Sequence, residues 1–285
     1  MSRIAYVNGR YLPLSNAAVS IEDRGYQFAD GVYEVCEVRA GRLVDERRHM
    51  ARLDRSLREI RLARPMSLAA LSVVLHETVR RNRVHDGIVY LQITRGVARR
   101  DFTFPPAGTA PSVVVTARGN DRARLAQLAA DGIAVVTVPD TRWSRVDIKS
   151  VALLPNVLAK QVAREQGARE AWLVDEAGRV TEGASSNAWI VSRDGKLITR
   201  SLGNDILAGI TRSVVIDVVK AQGIAFEERA FSVEEAYAAR EAFVASASQI
   251  VLPVVSIDGR PIGNGAPGLI ASALRRDYHR HAELT

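Results

Sequence analysis

Short runs with strand character and longer runs with helical periodicity follow one another along this chain in no regular order. That irregular alternation is the strongest constraint on its fold. Residues 32–39, Val32-Tyr33-Glu34-Val35-Cys36-Glu37-Val38-Arg39, alternate apolar and polar as a half-buried strand does. Met50, Leu53, Leu57 and Ile60 recur at helical spacing across 46–62. Ser67 can cap a second helix whose apolar face holds Leu71, Val74, Leu75 and Val79. Strands are expected at 88–94, 112–117, 133–138, 170–175, 179–182 and 187–192, and a hairpin around Asn8-Gly9. Helices are expected near 121–130, over 154–166 and 208–222, each of the last two ended by a glycine, and over 266–281. Ser232-Val233-Glu234-Glu235 forms a capping box. A doubly wound parallel sheet needs a regular strand–helix–strand beat, so the pattern predicts an α+β fold.

At 285 residues the chain has room for one large or two modest domains. The polar, turn-rich stretch Arg118-Gly119-Asn120-Asp121-Arg122 predicts where they divide. The expectation is a smaller N-terminal α/β domain over 1–118, a linker over 119–125 and a larger C-terminal α/β domain over 126–285. An apolar fraction of 47% with 25% charged residues excludes a disordered chain. No apolar run is long enough to span a membrane, and Met1 to Gly9 reads as a strand and turn rather than a signal peptide. A cytoplasmic protein with no membrane partner is therefore expected. Cys36 is the lone cysteine, which excludes an intramolecular disulfide and a cysteine-built zinc site. His76, His85, His279 and His281 show no metal-ligand spacing, so no metal is expected, and His49 reads most simply as a helix-packing residue.

The net charge of +7 lies wholly in residues 1–118, which hold 19 basic and 12 acidic side chains. The basic residues are scattered singly or in pairs, without a stacking platform or a nucleic-acid-binding motif. Nucleic acid is thus not expected as a partner, whereas small anions remain open. Only four of the 39 basic residues are lysines: Lys149, Lys160, Lys196 and Lys220. Lys160 lies beside Gln161 and Arg164 and reads as a solvated helix face; Lys196 sits in a turn, and Lys220 in the last turn of a helix. Lys149 alone stands in an increasingly apolar run, Ile148-Lys149-Ser150-Val151-Ala152-Leu153-Leu154. Partial desolvation there favours a neutral, nucleophilic amine. From local context alone, an ion pair with Asp147 or another carboxylate is the commoner outcome.

Two further segments can carry chemistry. Thr181-Glu182-Gly183-Ala184-Ser185-Ser186-Asn187 sets an acid before small and hydroxyl-bearing residues. Leu207-Ala208-Gly209-Ile210-Thr211-Arg212 opens a helix whose free N–H groups and Thr211 hydroxyl suit a phosphate. Each is also met by an ordinary turn or helix start.

Their order is distinctive. Arg142-Trp143-x-x-x-Asp147-Ile148-Lys149-Ser150, then Glu182-Gly183-x-x-Ser186-Asn187, then Leu207-x-Gly209-Ile210-Thr211-Arg212 resembles the fold-type IV pyridoxal 5'-phosphate-dependent aminotransferases, a two-domain architecture. Glu22-Asp23-Arg24-Gly25-Tyr26-Gln27-Phe28-Ala29-Asp30-Gly31-Val32-Tyr33-Glu34, Glu46-x-x-x-His49-x-x-Arg52-Leu53 and Thr94-Arg95-Gly96 are similar to the D-amino acid aminotransferase branch. The resemblance spans nearly the whole chain. It implies transamination between a D-amino acid of the D-alanine or D-glutamate type and a 2-oxo acid, by a homodimer whose active site is shared between subunits. Other activities on this scaffold are an (R)-amine transaminase, a branched-chain L-amino acid aminotransferase and aminodeoxychorismate lyase.

By the same resemblance, Lys149 forms the Schiff base with the cofactor and Glu182 faces its pyridine nitrogen. Arg52, Ile210, Thr211 and Ser246 hold the phosphate, with Ser186 and Asn187 also in the cofactor site. Ala247 stands where the branch often has threonine. Tyr33 and Arg100 match residues that bind the substrate carboxylate, Arg100 from the other subunit. Phe102 occupies the position of a histidine in that set, and Asp101 could neutralise Arg100.

Overall fold

The Asn8-Gly9 turn, with both residues at positive φ (45° and 91°), closes β1 (Ile4–Val7) onto β2 (Arg10–Pro13). The computed structural model describes residues 3–285. A short helix α1 (Arg24–Phe28), capped by the Asp23 side chain, precedes the long strand β3 (Gly31–Arg39) and its partner β4 (Arg42–Leu43). Helices α2 (Glu46–Glu59) and α3 (Leu68–Arg81) follow, then β5 (Gly87–Thr94) and β6 (Ser112–Gly119). These strands form one six-stranded antiparallel sheet in the order β2-β1-β6-β5-β3-β4. Leu53 and Leu57 of α2 and Leu71 and Leu75 of α3 pack with Val32, Cys36, Leu91, Ile93 and Val115. Each fully buried leucine stabilises this unit by about 1.5–3 kcal/mol. Burial pushes the Cys36 thiol well up, so it stays protonated.

The second unit begins with α4 (Arg122–Asp131) and β7 (Ile133–Pro139), then α5 (Leu154–Glu165) and β8 (Glu170–Val174). β9 (Arg179–Gly183), β10 (Asn187–Val191) and β11 (Leu197–Thr199) lead to α6 (Ile210–Ala221). The chain continues through β12 (Phe226–Glu228), β13 (Phe231–Ser232), α7 (Val233–Tyr237), β14 (Glu241–Ser246), β15 (Ile250–Ile257), β16 (Arg260–Pro261) and α8 (Leu269–His281). The Ser232 capping box is formed as the sequence indicates. The ten-stranded sheet runs β12-β11-β10-β14-β15-β7-β8-β9-β13, with β16 on β15. β7 is parallel to both β8 and β15, so the sheet is mixed. Trp172, Ile190, Val244 and Leu252 fill its core, and Trp189 stacks on Phe243 at 5.4 Å. The α+β expectation agrees with this architecture. No helix among the described residues is long and apolar enough to cross a membrane.

The division of the chain differs from the contiguous one expected from turn chemistry. The first unit comprises residues 1–121 with Ile148–Ala152 and Glu283–Thr285; the second comprises Arg122–Asp147 and Leu153–Ala282. The reason is backbone pairing. Tyr33 N–H donates to the Lys149 carbonyl and Val151 N–H to that of Gly31, each at 3.0 Å. Leu43 and Thr285 exchange both backbone hydrogen bonds, at 3.1 and 3.0 Å. Two distant segments thus satisfy strand groups that would otherwise be unpaired. Lys149, expected in the C-terminal domain, belongs to the first unit.

Candidate active site

In the first unit, the phase of β3 decides which side chains meet. Val32, Glu34, Cys36 and Val38 lie on its buried face, so an acid sits among apolar residues and faces α2. Arg52 donates to both Glu34 oxygens, Nε to Oε1 and Nη2 to Oε2, each at 2.8 Å. His49, one turn earlier on α2, places Nδ1 2.7 Å from Glu34 Oε2. Burial opposes ionisation of Glu34, but the Arg52 charge and hydrogen bonds, with that of His49, outweigh it and hold the carboxyl well below its usual range. Burial, aided by the charges of Arg52 and Lys149, lowers the His49 pKa against the pull of Glu34. His49 is therefore a neutral imidazole whose Nδ1–H donates to an ionised Glu34.

Lys149 reaches this group from the segment paired on β3. Its backbone N–H donates to Ser56 Oγ of α2 at 3.4 Å, and its Nζ lies 4.2 Å from the centroid of the Tyr33 ring. The amine makes no ion pair among the described residues. The Asp147 carboxylate is held by Arg145 at 2.9 and 3.0 Å. Tyr33 packs against Tyr90 at 5.6 Å, and the Tyr90 phenol is pushed up to about 12 by burial and by Tyr33. No partner for the Tyr33 hydroxyl occurs among the described residues.

In the second unit the carboxylate of Glu182, at the end of β9, is held from several sides. Arg142 Nη1 donates to Oε1 at 2.5 Å, and Asn187 Nδ2 and Leu207 N–H donate to Oε2 at 2.9 and 3.2 Å. Arg142 is itself fixed by Asp140 and the Asp205 carbonyl. Asn187 Nδ2 also donates to the Leu207 carbonyl at 3.0 Å, tying the acid to the chain that opens α6. That helix begins at Ile210, two residues later than its sequence reading, because Gly209 is extended (φ −63°, ψ 134°) and caps it without a side chain. Ile210 and Thr211 are buried there, and the Thr211 hydroxyl has no partner among the described residues. Ser246 ends β14, whose Ala245 pairs with Asn187, and Ala247 enters the turn beyond; the Ser246 hydroxyl is likewise without a described partner.

The Ser186 hydroxyl points elsewhere. Together with Ser185 it donates to the buried Glu170 Oε2, at 3.1 and 2.6 Å. Lys160 keeps a side chain that is 38% exposed, while its Nζ donates to the Arg169 carbonyl at 2.6 Å and pairs with Glu170 Oε1 at 3.1 Å. Gly209 admits no side chain, since a Cβ there would lie 2.0 Å from Asn187 Oδ1. Gly209→Ala is expected to destabilise the protein by about 1–3 kcal/mol through overpacking, seen as a lower urea midpoint. An unchanged midpoint would show that Asn187 yields freely.

Arg100 and Phe102 lie in the loop between β5 and β6, both exposed. Asp101 does not neutralise Arg100: its Oδ1 accepts from the Thr103 N–H and hydroxyl, each at 2.9 Å. Sequence reasoning passed over Glu34 as a site residue, although its phase with Val32 and Cys36 carried the signal. Arg142 was visible only as part of a motif.

The amino-transferase class IV family matches residues 31–257, and the chain belongs to it. Its curated relatives narrow the comparison. A D-alanine aminotransferase of Staphylococcus haemolyticus is 39% identical over 278 residues, covering 98% of this chain and 97% of the relative. One from Bacillus licheniformis is 43% identical over 261 residues, covering 92% and 90%. Among solved structures, the Escherichia coli branched-chain amino acid aminotransferase has a TM-score of 0.90 at 25% identity, covering 98% of this chain and 94% of that one. The T.th. branched-chain amino acid aminotransferase with pyridoxamine 5'-phosphate has a TM-score of 0.89 at 26% identity, covering 98% and 94%.

Proposed function

We propose that this aminotransferase uses pyridoxal 5'-phosphate to move an amino group from a D-amino acid to a 2-oxo acid, with Lys149 as its catalytic residue. The observation that carries the reading is the Lys149 amine, delivered to β3 beside Tyr33 with no carboxylate pairing it among the described residues. Higher identity to D-alanine aminotransferases than to branched-chain enzymes supports the D-amino acid. A cytoplasmic homodimer is part of the same reading, supported by the resemblance.

The donor set fits the cofactor. An amine without an ion pair among the described residues in the first unit and, in the second, a helix N-terminus without a side-chain cap and a fixed carboxylate have the chemistry to meet its aldehyde, phosphate and ring nitrogen. Pyridoxal phosphate, when bound, supplies a carbonyl for the substrate nitrogen and a ring that takes up the electron pair left at Cα. Lys149 would hold the cofactor through its amine, and the same amine would carry the proton from the substrate Cα to the cofactor carbon bearing the transferred nitrogen. Glu182, oriented by Arg142 and Asn187, would supply the negative charge for the ring nitrogen. Arg52, Ile210, Thr211 and Ser246 bind the phosphate. Tyr33 and, from the other subunit, Arg100 take the substrate carboxylate.

The test is the visible absorption of the cofactor-loaded protein before and after D-alanine or L-alanine. Loss of the cofactor's visible band with the D-isomer alone is expected. Loss with the L-isomer alone would reject the assigned stereochemistry, and no band after incubation with the cofactor would reject the cofactor.

A further inference from the structure

The loop carrying Arg100 is fixed on both sides. The buried Arg24 donates through Nε to Asp30 at 2.9 Å and through Nη1 to the Asp101 carbonyl at 2.7 Å. Arg95 donates to the same Asp30 oxygen at 2.8 Å and to the carbonyls of Ile60 and Arg61. The guanidinium groups of Arg95 and Arg61 lie 3.8 and 4.9 Å from the Phe104 ring centroid. Asp101 is turned into the loop by Thr103.

Between these anchors the Arg100 side chain meets no acceptor among the described residues. Its guanidinium lies 4.6 Å from the Phe28 centroid and 6.0 Å from that of Phe102. The two rings meet each other at 5.5 Å. Phe102 is 86% exposed, so little of its surface is buried by its own unit. A guanidinium binds rings through its face and carboxylates through the N–H groups in its plane. Aromatic support therefore orients Arg100 and leaves its hydrogen-bonding fork available.

We infer that Phe102, with Phe28, is a positioning residue that holds the Arg100 fork for the substrate carboxylate by ring contact rather than by a hydrogen bond. This rests on the reading of Arg100 as a carboxylate-binding residue. Where a histidine at this position would add a donor, the phenyl ring restricts the arginine instead. The carboxylate then meets one bidentate cation beside an apolar wall.

The experiment compares Phe102→Ala, Phe102→Leu and Phe102→Tyr in the cofactor-loaded enzyme, with Arg100→Ala as control. It reads KM and kcat for D-alanine and the competitive inhibition constant of propionate, a bare carboxylate probe. Phe102→Ala and Phe102→Leu are expected to raise KM and the propionate constant roughly 3- to 10-fold, with kcat within about twofold, and Phe102→Tyr to restore both. Leucine retains apolar bulk without a ring, so packing alone would leave it near wild type. Such a result, with Arg100→Ala still impaired, overturns the part assigned to Phe102 and keeps the role of Arg100. If Arg100→Ala leaves both constants unchanged, the carboxylate reading of Arg100 fails and this inference with it.

Discussion

Replacing Lys149 with alanine is expected to lower multiple-turnover transamination on the order of 10²–10⁴-fold, the usual contribution of a positioned acid–base group. The fold should survive. The Lys149 side chain is half-buried, and among the described residues it rests on the Tyr33 ring at 4.2 Å without an ion pair. A cation–π contact of this kind contributes about 0.5–2 kcal/mol. The hydrogen bonds that hold the segment to β3 and α2 involve its backbone and are retained in alanine. Steady-state rates with D-alanine and 2-oxoglutarate, measured beside a urea melt, separate the two effects. An unchanged kcat would remove Lys149 from the reaction; a lost rate with a collapsed melt would assign it to the fold.

Lys149 could be chosen from sequence because only four lysines were available and the order of neighbouring motifs pointed to one of them. The Glu182 turn and the opening of α6 were legible as local patterns, although that helix starts at Ile210 rather than at residue 208. What sequence could not give was convergence. Lys160 looks solvated beside Gln161 and Arg164, yet its long side chain reaches back to the Arg169 carbonyl and the buried Glu170. Arg142 is an ordinary polar residue until Asp140, Glu182 and the Asp205 carbonyl surround it. The pairing of residues 148–152 with β3 is invisible to turn chemistry, because it satisfies groups more than a hundred residues away. Sequence proximity of Asp101 and Arg100 likewise suggested an ion pair, whereas Asp101 Oδ1 accepts from Thr103. By contrast, the buried phase of Glu34 was present in the alternation of β3 and needed only to be followed through an acid.

That acid gives the other large expected effect. Glu34→Ala should destabilise the first unit by about 3–5 kcal/mol, because it leaves the Arg52 guanidinium buried without its bidentate partner. On the proposed role of Arg52 it should also weaken phosphate binding, since Arg52 loses the group that fixes its orientation. Glu34→Gln keeps the volume and one acceptor, so its loss should be smaller, and its pH response should separate the charge from the packing. In the unfolded chain His49 gains a proton near pH 6.5, while in the folded protein it does so only at lower pH. Folding stability therefore declines as pH falls below about 6.5. Glu34 titrates near 4.5 when unfolded and far lower when folded. Its contribution is complete above about 4.5 and is lost as pH falls from there toward the folded value. Urea midpoints followed from pH 8 to 3 should thus show wild type losing more stability below about 4.5 than Glu34→Gln does. Equal slopes in that range would mean that Arg52 is balanced by something other than the Glu34 charge.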